Sequence, residues 1–314
     1  MPKKPISVII LGYTRFEETT GRCLASLAED PDFSKWDLIV IDNGTDALTA
    51  QKYVQAAAQY PTLKLRRLET NTGVPGGFNA GLRFAQGDPI ILVTSDVLIP
   101  AGTITRLAVT FESHPRAGLI APVTNAAGTE QKIFIEPAGD VMEQGRAFTE
   151  AAPDGSVLAY RLDFCCVGLR RAVYEAIGGL DEAFSPGYYE DFDYSIRAKV
   201  AGFDLLVAEN AFVYHEGGGS FRVSREKKAL IARNKQLFLQ KYGRDTWLPH
   251  LRDCNLEVLG QYVDQVRTGS APPAYRIANR LRLAATGLPK GPWKRWRYRR
   301  KLATVARRLT TAAS

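Results

Sequence analysis

The sequence predicts an α/β fold, in which a doubly wound and mainly parallel sheet is followed by a helical C-terminal extension. Short apolar runs alternate with segments of helical spacing, two of these runs end in an aspartate, and the last part of the chain is basic. Alternating strand and helix signals are typical of sheets that carry helices on both faces. The predicted strands are Ile6–Leu11, Leu38–Ile41, Leu63–Leu68 and Ile90–Val93, and the predicted helices are Glu17–Leu27, Leu48–Gln59 and Asn79–Gln86.

The second half of the chain gives weaker signals. The stretch 136–156 is rich in Gly, Pro, Asp and Glu and is predicted to be a loop. From Ser224 onward the pattern is helical and increasingly basic, which predicts a catalytic domain over 1–243 and an extension over 244–314. The remaining predicted strands are Ala117–Ala121, Gln131–Ile135, Leu158–Phe164, Leu205–Val207 and Ala211–Tyr214, and the remaining helices are 171–177 and 192–201.

The composition is that of a globular protein able to bury a sizeable core, since 45% of the 314 residues are hydrophobic and 24% are charged. No apolar run approaches the ~18 residues that span a bilayer. The four cysteines include no C-x-x-C pair, and an export signal is not apparent at the start of the chain. We therefore expect reduced thiols and a cytoplasmic protein.

Two predicted strands end in an acid, Asp42 after Leu38–Ile41 and Asp96 after Ile90–Ser95. Ligands bind open α/β sheets at the carboxyl ends of the strands, so these acids are expected to line one crevice. Asp42 can accept a hydrogen bond from a base or a ribose, although Asp42-Asn43-Gly44 is also suitable turn chemistry. Asp96 can serve a hard cation such as Mg²⁺, or it can simply cap the next turn.

A glycine-rich segment leads from Asn71 to Gly81 and contains Gly73 and Asn79. Backbone N–H groups at a helix N-terminus suit a ligand that carries phosphate. The segment is neither a P-loop nor a G-x-G-x-x-G motif, and the alternative is a mobile loop.

Three acids crowd into four residues at Glu190, Asp191 and Asp193, directly after Tyr188-Tyr189. Acids at a helix N-terminus offset the macrodipole, but one acid is enough for that purpose. Three acids together indicate a general base with a neighbour that shapes its surroundings.

His215 is one of three histidines and precedes a run of glycines. It is a candidate ligand or acid–base group, and the alternative is a structural role. The segment 216–223 is predicted to be a lid hinge that closes over a ligand, because glycines tolerate the required backbone changes.

The net charge of +8 is concentrated in the tail, where no Asp or Glu follows Asp264. A basic segment of this kind binds an anionic surface, unless it is a solvated helix face. Trp293, Trp296 and Tyr298 lie among the basic residues, and aromatics favour the membrane interface. We therefore expect peripheral attachment to the inner face of the membrane.

Taken in order, these motifs resemble the family 2 glycosyltransferases, which have the GT-A fold. The resemblance covers residues 5–243, and the C-terminal part of it is similar to rhamnosyltransferase-like members. It is carried by Val40–Gly44, Asn71–Gly81, Thr94–Val97, Gly178–Phe184, Tyr189–Asp193 with Arg197–Phe203, and Val213–Ser220.

The resemblance implies an inverting transfer from a nucleotide-diphosphate sugar to an acceptor hydroxyl in a glycan or a lipid-linked acceptor. It implies a divalent cation, Mg²⁺ or Mn²⁺. Asp191 would be the general base and Glu190 its neighbour. The donor would contact Asp42, Asn43, Asn71, Gly73, Asn79, Ser95 and Asp96, the cation would contact Asp96 and His215, and the acceptor would contact Cys166, Tyr189 and Asp193.

One departure from the family pattern concerns the metal motif, whose first acid is Thr94 here. Two other functions compete with glycosyl transfer. A sugar-nucleotide nucleotidyltransferase would need a G-x-G-T-R loop after the first strand, and Leu11–Glu17 lacks it. A nucleic-acid-binding protein would need a basic face on the main domain with aromatics for stacking, and the acidic crevice argues against it.

Overall fold

A computed structural model describes residues 4–150, 155–217, 225–246 and 248–311, with the side chains of 310 and 311 excepted. Within these residues, nine strands form one sheet. Numbered in chain order, they are β1 Ser7–Gly12, β2 Asp37–Asp42, β3 Leu63–Arg67, β4 Ile90–Thr94, β5 Val97–Leu98, β6 Ala117–Thr124, β7 Ser156–Leu158, β8 Cys166–Leu169 and β9 Asp204–His215.

Helices flank the sheet and follow it. They are α1 Thr20–Ala28, α2 Ala47–Gln59, α3 Gly73–Leu82, α4 Thr103–Ser113, α5 Val141–Glu150, α6 Arg171–Ile177, α7 Glu190–Val200, α8 Arg225–Tyr242, α9 Leu251–Arg267, α10 Ala274–Thr286 and α11 Pro292–Thr311. Short 3₁₀ turns lie at Phe33–Lys35 and Glu182–Phe184.

The strand order is β3-β2-β1-β4-β8-β6-β9-β5, and β7 pairs with β9 outside this path. Six of the nine strands, β1, β2, β3, β4, β6 and β9, run in the same direction, because β8 is antiparallel to both β4 and β6. The predicted α/β fold with a mainly parallel sheet is therefore confirmed. The order reverses between β1 and β4, which is where such sheets bind ligands.

The sheet is buried on both faces. Residues of β1 and β2 alternate between two hydrophobic clusters, with Ile9 and Ile39 packed on the side of Phe78 in α3. Val8 and Leu38 pack on the opposite side with Leu24 of α1. Burial on both faces explains why these strands are continuous apolar runs instead of alternating patterns.

Helix α3 begins at Gly73, six residues before its predicted start at Asn79, and includes the glycine-rich segment. A Cβ atom on Gly77 would lie 2.3 Å from Leu11 Cδ1, and one on Gly81 would lie 2.4 Å from Ile9 Cγ2. The glycines therefore let the helix approach β1 closely. A segment that is read as a mobile loop from its composition is a helix for this packing reason.

Other predicted elements differ in extent. The predicted loop 136–156 contains α5, and Gln131–Ile135 forms no strand beyond one bridge between Thr124 and Lys132. The predicted strand Leu158–Phe164 is replaced by β7, which ends at Leu158, and by β8, which starts at Cys166. The predicted strands Leu205–Val207 and Ala211–Tyr214 are one strand, β9.

Strand β9 runs through its polar centre without a break, because Glu209 there is buried and paired with Arg280. The register passes from Pro122↔Ala208 to Val123↔Phe212, so residues 209–211 have no partner on β6 and form a bulge. Glu209 lies in this bulge and is 1% exposed. Its Oε1 lies 2.7 Å from Arg280 Nη2 and accepts a hydrogen bond of 2.7 Å from the Tyr262 hydroxyl.

This buried charge ties the C-terminal helices to the sheet. Arg276 of α10 donates a hydrogen bond of 2.8 Å from Nη2 to the backbone oxygen of Glu209. Arg276 and Arg280 are 1% and 0% exposed, so these two residues of the basic tail are part of the core and do not face an anionic surface.

None of the helices in the described residues combines the length and the apolar composition that crossing a bilayer requires. Most of the predicted lid 216–223 lies outside the described residues.

Arg280→Ala should lower the free energy of unfolding by roughly 3–5 kcal/mol, because it leaves the Glu209 carboxylate buried without its partner. The matched control is Arg282→Ala on the same helix, which removes an exposed pair with Glu136. That control should cost about 1 kcal/mol or less. Urea unfolding measures both values, and equal losses in the two variants would contradict the structural role of Glu209–Arg280.

Candidate active site

The carboxyl edge of the sheet presents Asp42 at the end of β2. Its Oδ1 accepts a hydrogen bond of 3.0 Å from the Thr45 N–H, and its Oδ2 lies 3.4 Å from Arg67 Nε. The residue is 0% exposed, and Oδ2 accepts no hydrogen bond from the described residues. A buried carboxylate oxygen with unused acceptor capacity at the carboxyl edge of the sheet is suited to a ligand N–H or hydroxyl.

Asn43 and Asn71 shape the loop beside Asp42. Asn43 Oδ1 accepts a hydrogen bond of 3.0 Å from the Thr72 N–H, and Asn43 Nδ2 donates one of 3.0 Å to the Gly73 oxygen. Asn71 Oδ1 accepts from the Gly73 N–H at 2.8 Å. Gly73 has φ +74°, and a Cβ there would lie 2.7 Å from Pro186 Cα. These residues build the turn that starts α3 at the crevice.

The Asn79 side chain is engaged by the segment that follows α6. Its Nδ2 donates hydrogen bonds of 2.9 Å to the Leu180 oxygen and 2.8 Å to Glu182 Oε1, and its Oδ1 accepts one of 2.8 Å from the Leu180 N–H. A Cβ on Gly179 would lie 2.3 Å from Asn79 Oδ1, which explains a glycine there. These hydrogen bonds join α3 to the segment 178–182, and contact of Asn79 with a donor stays a prediction.

Asp96 and His215 meet where β5 pairs with the end of β9, in the register Val97↔His215. His215 Nε2 lies 3.4 Å from Asp96 Oδ2, and Thr94 Oγ1 donates a hydrogen bond of 2.8 Å to Asp96 Oδ1. Thr94, which replaces the first acid of the metal motif, thus orients the remaining acid. Ser95 lies half-buried between them.

Burial by itself would lower the pKa of His215, but hydrogen bonds to Asp96 and to Cys165 outweigh burial and raise the pKa to about 11. The ring is therefore an imidazolium near neutral pH. Its Nδ1 lies 3.0 Å from the Ala126 oxygen and donates to it, which fixes the ring plane. The edge of the sheet carries a positive group beside Asp96.

The described residues contain no cluster of three or more His, Cys, Asp or Glu side chains that could hold a metal ion. Asp96 and His215 supply one carboxylate and one imidazole. This pair fits Mg²⁺ or Mn²⁺ only as a site completed by substrate phosphates and water, which is a common arrangement for Mg²⁺. Because a ligating imidazole must be neutral, the ion would compete with the proton on His215.

The acidic helix α7 follows a turn with unusual backbone angles. Tyr188 and Tyr189 have φ of 74° and 77°, which costs roughly 1–2 kcal/mol per residue for a side chain of this kind. Asn234 of α8, 0% exposed, holds the turn by donating to the backbone oxygens of Phe184 at 2.6 Å and Gly187 at 2.8 Å. Strained backbone that is held by its surroundings is a feature of functional sites.

Glu190 and Asp191 are both shifted toward their protonated forms. Burial and the charge of Asp191 hold the pKa of Glu190 well above its usual range, and its Oε2 is buried with no hydrogen-bond partner among the described residues. Burial and the charge of Asp163 raise the pKa of Asp191 to about 7, against the opposing effect of Arg161. With a pKa of about 7, Asp191 can accept a proton near neutral pH, beside a Glu190 whose protonated form is favoured by burial.

The three residues predicted to contact an acceptor differ in burial and in their hydrogen-bond partners. Cys166 is 0% exposed inside β8 and has no surface for an acceptor. Asp193, also 0% exposed, is used by Arg197 Nε at 2.8 Å, Lys241 Nζ at 2.6 Å and the Tyr242 hydroxyl at 2.6 Å. Cys166 therefore packs in the core and Asp193 joins α7 to α8, and a role of either residue at an acceptor stays a prediction. Tyr189 is half-buried and stacks on Phe192 with ring centroids 5.2 Å apart, and its role at an acceptor stays a prediction.

Sequence reasoning missed Asn125, Arg161 and Asp163. Asn125 Oδ1 accepts a hydrogen bond of 2.8 Å from the His215 N–H. Asp163 Oδ2 accepts one of 2.6 Å from the Gly128 N–H, and Arg161 Cζ lies 3.4 Å from the centroid of the Phe192 ring. The loop after β6 and the segment before β8 thus connect His215 with the surroundings of Asp191. Asn125 directly follows β6, but it is an amide and the predicted strand ended at Ala121, so the rule that selected Asp42 and Asp96 does not find it.

Comparison with known proteins agrees with this geometry. The family model described as Glycosyl transferase family 2 matches residues 7–178, which is more than half of the chain. Among relatives, the chain is 22% identical over 230 residues to the uncharacterized protein y4gI of Sinorhizobium fredii, covering 69% of this chain and 25% of that one. It is 26% identical over 203 residues to the uncharacterized glycosyltransferase YwdF of Bacillus subtilis, covering 62% and 67%.

Two solved structures share the fold. One is GalNAc-T7 with UDP, GalNAc and Mn²⁺, with a TM-score of 0.58 and 13% identity, covering 83% of this chain and 51% of that one. The other is the mannosyltransferase PcManGT from Pyrobaculum calidifontis with GDP-Man and Mn²⁺, with a TM-score of 0.55 and 18% identity, covering 99% and 86%. The chain spans a quarter of the first relative and about half of the first structure.

The matched residues include β1, β2 and β4 with Asp42 and Asp96. The chain therefore belongs to glycosyl transferase family 2, and its sheet and helices form a GT-A fold.

Proposed function

We propose that the protein is an inverting glycosyltransferase that moves a sugar from a nucleotide-diphosphate donor to an acceptor hydroxyl. The acceptor is a glycan or a lipid-linked saccharide in the synthesis of a cell-surface glycan or polysaccharide. The observation that carries the proposal is Asp191, an acid whose pKa is raised to about 7 by burial and Asp163, beside the buried Glu190, in a chain whose family transfers sugars.

The proposed step is a single displacement. The acceptor oxygen forms a bond to the anomeric carbon while the bond from that carbon to the diphosphate oxygen breaks. The proton of the acceptor hydroxyl passes to Asp191, and the nucleoside diphosphate leaves. A base with a pKa near the working pH is the most effective for this transfer. Burial favours the protonated form of Glu190, which limits the negative charge where the sugar would react.

The donor is placed at the carboxyl edge of β1, β2 and β4. Asp42 would accept from the base or the ribose, and Asn43, Asn71 and Gly73 would hold the loop that faces the nucleotide. Asp96 and His215 would hold a divalent cation, which supplies positive charge to the departing diphosphate. The nucleotides and Mn²⁺ in GalNAc-T7 and PcManGT support this placement.

The direct test begins with thermal-shift screening against UDP-, GDP- and dTDP-sugars with and without Mn²⁺, because a ligand that binds the folded protein raises its midpoint. The donor so found is then incubated with saccharide acceptors, and release of nucleoside diphosphate is measured. A sugar-nucleotide nucleotidyltransferase would instead make or consume pyrophosphate. Proton NMR of the product gives the anomeric configuration, and retention of the donor's configuration would refute inversion.

Asp191→Asn should lower the transfer rate by roughly 10²–10⁴ and leave donor affinity nearly unchanged, because the amide cannot accept the proton. A surface control is Asp204→Asn, which removes a carboxylate that lies 3.1 Å from Arg116 Nε at the start of β9. The control should transfer at the wild-type rate. Wild-type turnover in a stably folded Asp191→Asn variant would remove Asp191 from the mechanism.

The pH dependence of the transfer rate should follow the protonation of Asp191. A base acts only when deprotonated, so activity should rise with pH through about 7, the pKa to which burial and Asp163 raise Asp191. Asp163→Asn removes a neighbouring negative charge and should move this acid limb to lower pH. The rate is measured across pH with Asp204→Asn as control, and a limb that stays in place or moves upward counts against the assignment.

Asp96→Ala should weaken binding of the nucleoside diphosphate and abolish its dependence on divalent cations, because His215 alone is a poor site for the ion. Calorimetry of the wild type and the variant, each with EDTA and with Mn²⁺, measures this. We expect the wild type to bind more tightly with Mn²⁺ and the variant to bind equally in both conditions. Equal wild-type affinity with and without EDTA would mean that donor binding needs no metal.

A further inference from the structure

Helix α11 has two unlike sides. Tyr298 and Leu309 are buried at 5% and 2% exposure, and Leu302 packs on the core with them. The Tyr298 hydroxyl lies 3.4 Å from the backbone oxygen of Arg252 in α9, to which it donates. At 3.6 residues per turn, Trp293, Trp296, Arg297, Arg300 and Arg307 therefore fall on the opposite side. We call these five residues the outer face of α11.

The outer face exposes two large aromatic rings. Trp293 and Trp296 are 66% and 46% exposed and stack on each other, with centroids 4.9 Å apart and ring planes 18° apart. Single exposed apolar residues are ordinary in soluble proteins, but contiguous exposed aromatics mark an interaction surface.

The same helix is strongly basic, and no Asp or Glu follows Asp264 in the sequence. The exposed bases of α11 are Lys294, Arg295, Arg297, Arg299, Arg300, Lys301, Arg307 and Arg308. Among the described residues, no ion pair joins Lys294, Arg295, Arg297, Arg299 or Lys301 to a carboxylate. Such a field attracts an anionic partner.

The stacking geometry distinguishes between anionic partners. Bases of single-stranded nucleic acid bind by stacking on open aromatic faces. Trp293 already covers one face of Trp296, and Arg300 Cζ lies over the same ring, 4.8 Å from its centroid. The Trp296 ring is therefore already engaged by two residues of its own helix, which leaves it less open to a base than a free ring. Aromatic rings at the level of lipid headgroups need only apolar surface beside a polar edge, with Lys and Arg next to them.

We propose that the outer face of α11 docks the protein on the surface of a bilayer that contains anionic lipid, with Trp293 and Trp296 in the headgroup region and the basic side chains on the phosphates. This is attachment to a surface and not a span. The proposal does not depend on the donor or on the transfer reaction.

The test uses the full chain, because removing the tail would also remove Arg276 and Arg280 from the buried Glu209. Co-sedimentation is measured with phosphatidylcholine vesicles, with and without phosphatidylglycerol, at low and high salt. We expect binding only to the anionic vesicles, and less of it at high salt. A wild-type protein that stays in the supernatant with anionic vesicles at low salt overturns the proposal.

Variants assign the binding to the outer face. Arg297→Gln with Arg300→Gln should lower the vesicle partition coefficient by about fivefold for each charge removed. Trp293→Ser with Trp296→Ser should lower it by about tenfold or more. The matched control is Phe84→Ser with Arg66→Gln, an exposed aromatic–arginine pair elsewhere on the surface with Arg66 Cζ 4.4 Å from the Phe84 centroid. The control should bind as the wild type does, and an equal loss in the control would refute a site on α11.

Three further measurements distinguish contact with lipid from misfolding of a variant and from binding of nucleic acid. Vesicles with brominated acyl chains should quench tryptophan fluorescence in the wild type and much less in the Trp293→Ser, Trp296→Ser variant, since quenching requires contact with lipid. Thermal unfolding checks that both variants are folded. Fluorescence anisotropy with labelled single-stranded and duplex DNA at the same salt completes the set. Binding to DNA through the outer face, without binding to vesicles, would replace the membrane with nucleic acid as the partner.

Discussion

The buried charge of Glu209 is the constraint on which much of the architecture depends. A carboxylate in the middle of a strand is strongly unfavourable unless cations and hydrogen-bond donors accompany it, and here Arg280, Arg276 and Tyr262 do so. Two of these partners lie on α10 and one on α9, so the C-terminal helices must pack against β9 for the sheet to be stable. The basic tail is thereby part of the core on one side, and α11 is left to face solvent on the other.

Strand β9 also connects this constraint to the chemistry, because it ends at His215. The two ends of the crevice have opposite electrostatic character. At the Asp96 end, hydrogen bonds to Asp96 and Cys165 outweigh burial and raise the pKa of His215 to about 11, which favours its positive form when no metal ion is bound. At the α7 end, burial and Asp163 favour the neutral forms of Glu190 and Asp191. The loop after β6 and the Arg161–Asp163 segment lie between them and contact both. A diphosphate and an acceptor hydroxyl would each meet the environment that its charge requires.

The sequence predicts the strands of the sheet well, but it predicts less well the features that depend on tertiary packing. The ends of β1, β2 and β4 lie within one residue of those predicted, because apolar runs that are buried on both faces have few alternatives. The start of α3 was missed because glycines that look flexible in a sequence are there for close packing on β1. Strand β9 was divided because the charge of Glu209 suggests exposure until Arg280 is known to meet it. Asp42 and Asp96 were identifiable as strand-end acids. The roles of Arg161 and Asp163, and the burial of Asp193 and Cys166, depend on contacts between segments distant in the chain, which local patterns do not contain.

The bulge at 209–211 has an evolutionary consequence. It places a charged residue where only the C-terminal helices can neutralise it, and those helices lie beyond the residues that match the family model. A homologue that lost α10 but kept an acid at this position would carry a buried carboxylate without its arginine partners. A homologue that lost the acid but kept α10 would carry two buried arginines without a carboxylate. Glu209, Arg276 and Arg280 should therefore be inherited or replaced together. Their joint presence in a sequence would identify those relatives in which the extension has become inseparable from the catalytic sheet.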